Sequence, residues 1–263
     1  MDVRPHETCF GGLVEAVRYV AIGDSFTEGV GDETPDGHVR GWADLVAQGW
    51  AASGTQVEYA NLAIRGRLIR PIVEEQLPAA LALKPTHLSF NGGGNDMLRP
   101  KADPNAIADM LKPVLEACDA NGITLILLSG ANPSARLPLG KVFQRRGDLL
   151  CDLVEQRVAH RDDIVRAYNW PDTTLMDGRF WSEDRLHMNA RGHHRVAARV
   201  LDSLGVEVPE DWWDLDFAAA VGKDGLAYYR EFVGPWIHRR LTGRSSGDGR
   251  AAKFPTWTPT AEM

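Results

Sequence analysis

Cysteine is scarce in this chain of 263 residues: Cys9, Cys118 and Cys151 stand far apart, and no CxxC pair occurs. An odd, dispersed set supports neither a disulfide framework nor a zinc site or dithiol redox centre. Long apolar runs are missing as well, since no stretch reaches the roughly 18 consecutive apolar residues that a membrane-spanning helix needs. The opening residues, Met1 to Glu7 (MDVRPHE), lead into no apolar run of the secretory type, so the expected location is cytoplasmic. Positive charge is not in surplus. Twenty-nine Lys and Arg face 36 Asp and Glu, a formal balance of −7, which argues against a nucleic-acid partner. Neither GxGxxG nor GxxxxGK[ST] is present. The Gly29-Val30-Gly31 repeat lacks the rest of a dinucleotide fingerprint. What remains is an ordinary globular composition, 44% hydrophobic and 25% charged, with enough chain for a core that needs no covalent staple.

Short apolar runs alternate with segments of helical period. The runs are VRYVAIG ending at Gly23, VEYANLA ending at Ala63, THLSFNG ending at Gly92, TLILLSG ending at Gly130, and DIVRAYN over Asp163 to Asn169. Each is rich in β-branched or aromatic residues and stops at a small or turn-forming residue. Their near-continuous apolar character suits parallel strands covered on both faces. Helices are expected over Trp42 to Ser53, Pro104 to Asn121, Asp148 to His160 and Asn189 to Leu204, the last two ending near His160 and Gly205. Five repeats of strand and helix predict a doubly wound α/β sandwich. Right-handed crossovers then place all strand C-termini along one edge, where ligands bind.

Four segments fall at that edge. Gly23-Asp24-Ser25-Phe26-Thr27-Glu28-Gly29 follows the first strand and puts Ser25 at its mouth, among turn N–H groups that can face an anion. A plain Gly/Asp/Ser turn is the competing reading. Asp184-Arg185-Leu186-His187-Met188-Asn189 precedes the last helix. A catalytic serine needs a base, and a histidine base needs a carboxylate to hold its tautomer, which a DxxH spacing can supply. A surface ion pair before a helix is the alternative there. Asn91 to Asp96 (NGGGND) offers glycines for close backbone approach and the Asn95 amide as a donor to a tetrahedral oxyanion. Asn61 to Gly66 (NLAIRG) offers the Gly66 backbone N–H to the same charge.

GDSFTEG, the glycine after the second strand, GGND and DRLHMN together resemble the four sequence blocks of the SGNH (GDSL) hydrolase superfamily, over roughly residues 18–204. The resemblance implies a flavodoxin-like three-layer α/β/α sandwich with a five-stranded, mainly parallel sheet. It implies Ser25 as nucleophile, His187 as general base and acid, and Asp184 as the orienting carboxylate. The oxyanion donors become the N–H groups of Ser25 and Gly66 and the side-chain amide of Asn95. Asp24 and Asp96 then brace their turns. No metal or organic cofactor is called for.

On this reading residues 1–17 are an N-terminal extension and 18–205 form the hydrolase domain. Residues 206–244, with Trp212, Trp213, Phe217, Tyr228, Tyr229, Phe232 and Trp236, are an aromatic extension packed on the domain or on a second copy in a homodimer, and 245–263 are a flexible tail. A lid or membrane-surface patch is a further reading, raised by Arg239 and Arg240 beside Trp236, against which Pro235 counts. One of His193 and His194 reads as a packing or capping residue below the catalytic loop, in preference to the pair being metal ligands with Asp184 and His187. Arg136, in the loop after the fourth strand, reads as a solvent-exposed side chain in preference to one meeting a charged substrate. Trp181 reads equally as packing or as pocket lining. The expected function is hydrolysis of a small acylated molecule by a short-acyl esterase or carbohydrate deacetylase. A lysophospholipase or thioesterase is the alternative, and a non-catalytic binding module is the alternative of another class. A lipid substrate requires a long apolar groove, which no run of the sequence displays.

Overall fold

The computed structural model describes residues 16–137, 139–214, 225–235, 242 and 244–260. Cys9, Phe217, Trp236, Arg239, Arg240 and nearly all of the expected N-terminal extension lie outside the described residues. All five expected strands form: β1 (Val17–Ile22), β2 (Val57–Asn61), β3 (His87–Phe90), β4 (Thr124–Ser129) and β5 (Val165–Tyr168). They pair in parallel in the order β5-β4-β3-β1-β2. Successive side chains of a strand point to opposite faces, and each face here has its own core. Val20, Ile22, Leu88, Leu125 and Leu127 enter one, while Tyr19, Ala21, Ile126 and Leu128 enter the other. Both faces are therefore covered, giving the three-layer α/β/α sandwich.

On the first face lie α3 (Ile69–Pro71) and α4 (Leu77–Ala82), joined by a π-helical turn over Ile72–Gln76, then α6 (Pro104–Asp109), α7 (Leu111–Asn121) and α8 (Gly140–Val158). On the second lie α2 (Trp42–Ala52) and α9 (Ala190–Ser203). Two short helices, α1 (Ser25–Glu28) and α5 (Gly94–Met97), sit at strand ends. The chain leaves β1 toward β2, then crosses back over β1 to β3. The order therefore reverses between β1 and β3, and ligands bind outside the strand C-termini at such a reversal. Ser25 follows β1, and the Asn91 to Asn95 turn follows β3.

The sheet has six strands, one more than expected. β6 (Phe254–Pro259) pairs antiparallel with β2 and comes from the segment read as a flexible tail. Proline lacks a ladder donor but is tolerated on an edge strand, so Pro255 and Pro259 mark β6 as an edge and not as irregular chain. A partly buried ion pair ties the same segment down. Lys253 Nζ lies 2.5 Å from Asp44 Oδ2 and donates to the Glu28 carbonyl at 3.0 Å.

Candidate active site

The site begins where β1 ends. Asp24 caps α1 by accepting from Phe26 N–H at 3.1 Å, so Ser25 occupies the first helical position with its own N–H outside the helical ladder. Gln76 pins the strand end, accepting from Gly23 N–H at 2.8 Å and donating to Gly23 O at 3.0 Å. Gln76 carried no signal in the sequence, because its partner is 53 residues away.

His187 reaches Ser25 from a tight loop ahead of α9. Asp184 Oδ1 accepts from the N–H groups of Leu186 (3.0 Å) and His187 (2.9 Å) and from Ser182 Oγ (2.7 Å). Asp184 Oδ2 lies 2.5 Å from His187 Nδ1, and His187 Nε2 lies 2.9 Å from Ser25 Oγ. A carboxylate only accepts, so Nδ1 carries the proton and Nε2 is free to accept from the serine hydroxyl. Burial alone would raise the Asp184 pKa. The hydrogen bond and charge of His187 outweigh it, with help from the loop N–H and Ser182, and hold the carboxyl well below the ordinary range. Asn189 closes the loop as N-cap of α9, accepting from Gly192 N–H at 3.1 Å. On the opposite wall Gly31 has φ +102°, and a Cβ there would lie 2.0 Å from Met188 O. Only glycine lets the two loops close.

The Gly66 side of the cavity is held by Glu28, a residue of the first block to which sequence reading gave no role. Its carboxylate accepts from Arg65 N–H at 2.6 Å and from the Arg65 guanidinium at 2.6 and 2.9 Å. That fork sets the turn in which Gly66, at φ +75°, follows. Among the described residues no protein acceptor takes the N–H of Ser25 or Gly66. Asn95 Nδ2 donates to Asp24 Oδ2 and to Arg67 O, both at 3.1 Å, so both of its amide hydrogens are engaged within the protein. Asp96 braces its turn by accepting from Ile69 N–H at 2.9 Å. All five predicted site residues, Ser25, Gly66, Asn95, Asp184 and His187, line one cavity of about 460 Å³.

Asp24 pays for this position. Burial raises its pKa to about 6 against the attraction of Phe26 N–H and His187, with Asp96 adding repulsion. A carboxyl with a raised folded pKa stabilises fully below about pH 4 and loses that contribution as pH rises through 6, roughly 3 kcal/mol in all. Asp24→Asn cannot ionise. Its effect on urea-unfolding free energy should therefore shift in the variant's favour by about that amount between pH 4 and pH 7. A constant difference across that range would contradict the assignment.

The remaining candidates resolve as structure. His193 is fully buried, accepts from Trp42 N–H at Nδ1 (3.1 Å) and faces Val30 O with Nε2 (3.3 Å). Burial lowers its pKa to about 4, so it stays neutral. His194 Nδ1 donates to Ala190 O at 2.7 Å. Arg136 is not a free surface cation: it donates to Met176 O and stacks on Trp181, 5.7 Å from the ring centroid. Trp181 is buried, donates to Leu175 O at 2.6 Å, and also lines a second, larger cavity.

The match of residues 21–195 to the model of the GDSL-like lipase/acylhydrolase family spans two thirds of the chain. The chain belongs to that family. It is a carboxylic ester hydrolase by that membership, and its fold agrees. The lipase Lip_vut3 from a goat rumen metagenome superposes with a TM-score of 0.60 at 17% identity, covering 72% of this chain and 97% of that one. The α/β hydrolase LAE5 from the Lake Arreo metagenome gives 0.59 at 23% identity, with 74% and 98% covered. The acetylxylan esterase Axe2 of Geobacillus stearothermophilus gives 0.58 at 17%, with 75% and 99% covered. No curated relative matches the chain.

Proposed function

We propose that this GDSL-family hydrolase cleaves its ester through a Ser25-His187-Asp184 triad and an acyl-enzyme. The observation that carries the reading is the unbroken line from Ser25 Oγ through the imidazole to Asp184 Oδ2. His187 Nε2 takes the Ser25 proton as Oγ attacks the ester carbonyl, and the Ser25 and Gly66 N–H groups with the Asn95 amide receive the oxyanion. The bond to the alcohol oxygen then breaks, and His187 returns the proton to that oxygen. Water, deprotonated by the same imidazole, releases the acid and frees Ser25.

The shape beside Ser25 bears on the acyl group. A cavity of about 850 Å³ runs from Ser25 and His187 past Met97, Phe143, Leu150 and Val154 to Tyr168. Its walls combine Met97, Phe143, Leu150 and Trp170 of the first-face core with Leu128, Ala131, Trp181 and Met188 of the second, and most of its lining is apolar. This supports an acyl chain of several carbons, a step toward the lysophospholipase or thioesterase alternative that sequence reading had placed behind a short-acyl esterase. No single run of residues displays the groove because the turn after β3, together with β4, β5, α5 and α8, builds it.

A p-nitrophenyl ester series from acetate to dodecanoate tests this. Each methylene buried is worth about 0.8 kcal/mol, so kcat/KM should rise about fourfold per carbon until the chain meets the polar end near Glu155 and Arg166. A maximum at acetate with a steady fall beyond it would restore the short-acyl reading.

A further inference from the structure

The two cavities share Ser25, Asn95, Leu98, Leu186 and His187, so they meet at the nucleophile. Sequence outside the family match builds much of the smaller one. Tyr228, Phe232, Val233 and Ser245 lie beyond residue 195 and roof it, and three contacts fasten this roof to the catalytic loops. Tyr228 OH donates to Asp184 O at 3.2 Å, and the Arg185 guanidinium stacks 4.1 Å from the Tyr228 ring centroid. Ser245 Oγ donates to Gly66 O at 3.2 Å. The roof therefore rests on both halves of the site, the carboxylate loop and the oxyanion turn.

The rim of this chamber holds an unusual leucine. Leu139 is 82% exposed, the most exposed of the large hydrophobic side chains among the described residues, and it has φ +60°. A non-glycine residue in the left-handed region at an enzyme cleft is strained, and such strain persists where function holds it. An apolar side chain kept in water at that cost fits a site whose apolar ligand covers it.

We propose that the smaller chamber is the subsite for the alcohol half of the ester and that it selects an apolar alcohol, with Phe232 and Leu139 setting the preference. The inference rests on the Ser25 hydrolase reading above. An ester has two arms diverging from one carbonyl carbon, and two chambers diverge from Ser25. The larger has core walls and suits the acyl arm, which stays bound to Ser25 after the first step. The smaller is closed by an appended segment and edged by exposed Leu139, which suits the arm that must depart once His187 has protonated its oxygen.

The test compares methyl and n-hexyl esters of one acid, butyric acid, in wild type, Phe232→Ala and Leu139→Asn. Asparagine tolerates the left-handed backbone, which keeps the second variant independent of any folding defect in the first. Wild type is expected to favour the hexyl ester, and the hexyl-to-methyl ratio of kcat/KM is expected to fall about tenfold in either variant. The acyl-length profile of the p-nitrophenyl series should keep its position. A wild type indifferent to the alcohol, an unchanged ratio in both folded variants, or a shift of the acyl profile in place of the alcohol ratio would overturn the proposal. Failure of the underlying hydrolase reading has a separate signature, hydrolysis of the methyl ester that persists in Ser25→Ala.

Discussion

Ser25→Ala and His187→Ala should each lower kcat by about six orders of magnitude, and the double variant should fall no further. On the proposed mechanism the two side chains act as one unit. Without Oγ there is no nucleophile for the imidazole to activate, and without Nε2 the hydroxyl 2.9 Å away keeps its proton. Residual turnover would come from the oxyanion donors acting on a water-mediated reaction. Single-turnover and steady-state rates with the best p-nitrophenyl ester measure this directly. Losses that simply multiply in the double variant would show that the two residues act independently, and a loss of only a few-fold would reduce Ser25 to a turn residue.

The second large effect is expected at Asp184. Replacement by asparagine should cost about 10⁴ in kcat while leaving the fold intact. Asparagine keeps a carbonyl oxygen for the Leu186 and His187 N–H groups and Ser182 Oγ, the three donors that hold Oδ1. It loses the acceptor that faces His187 Nδ1 at 2.5 Å. An amide N–H there favours the wrong imidazole tautomer, with Nε2 protonated and unable to accept from Ser25. It also removes the charge that stabilises the imidazolium during the reaction. Because the carboxyl is held well below the ordinary range, Asp184 stays ionised at any pH suited to assay, and the wild-type pH profile should show no limb from it. Thermal unfolding of the variant should match wild type closely. A large drop in stability alongside the rate would make the role of Asp184 structural.

How much of this was legible beforehand depends on how local each signal is. The five parallel strands were visible because burial on both faces demands nearly continuous apolar runs, and Tyr19 to Ile22 and Leu125 to Leu128 have no polar interruption. α9 was visible through its inward face and its Asn189 cap. α8 begins at Gly140, eight residues before the expected start, because Lys141, Arg145 and Arg146 dilute the apolar period in its first turns. Helix 69–82 was not anticipated. Pro71 and Pro78 lie within it, and the chain accommodates them by a π-helical turn over Ile72–Gln76. β6 was hidden by its prolines and by the distance in sequence to β2.

The site divides in the same way. Ser25, Asp184, His187, Gly66 and Asn95 stand in short blocks whose residue types announce their chemistry, and the structure gathers them around one cavity. Glu28 lay inside the first block, yet its role depends on Arg65, 37 residues on. Lys253 meets Asp44 across 209 residues, and Tyr228 meets the Asp184 loop across 44. Such pairings leave no periodic trace, since only the folded sheet brings the partners together. The apolar cavity is the same kind of feature, and so the proposed acyl preference rests only on the assembled walls.

Covalent trapping tests the central claim most directly. Wild-type protein and Ser25→Ala would be treated with a fluorophosphonate, weighed intact by mass spectrometry and mapped by peptide. The account predicts a single adduct on the peptide that carries Ser25, formed in step with loss of ester hydrolysis and absent from the variant. An adduct on another residue, or full hydrolysis by a protein whose Ser25 never labels, would contradict it.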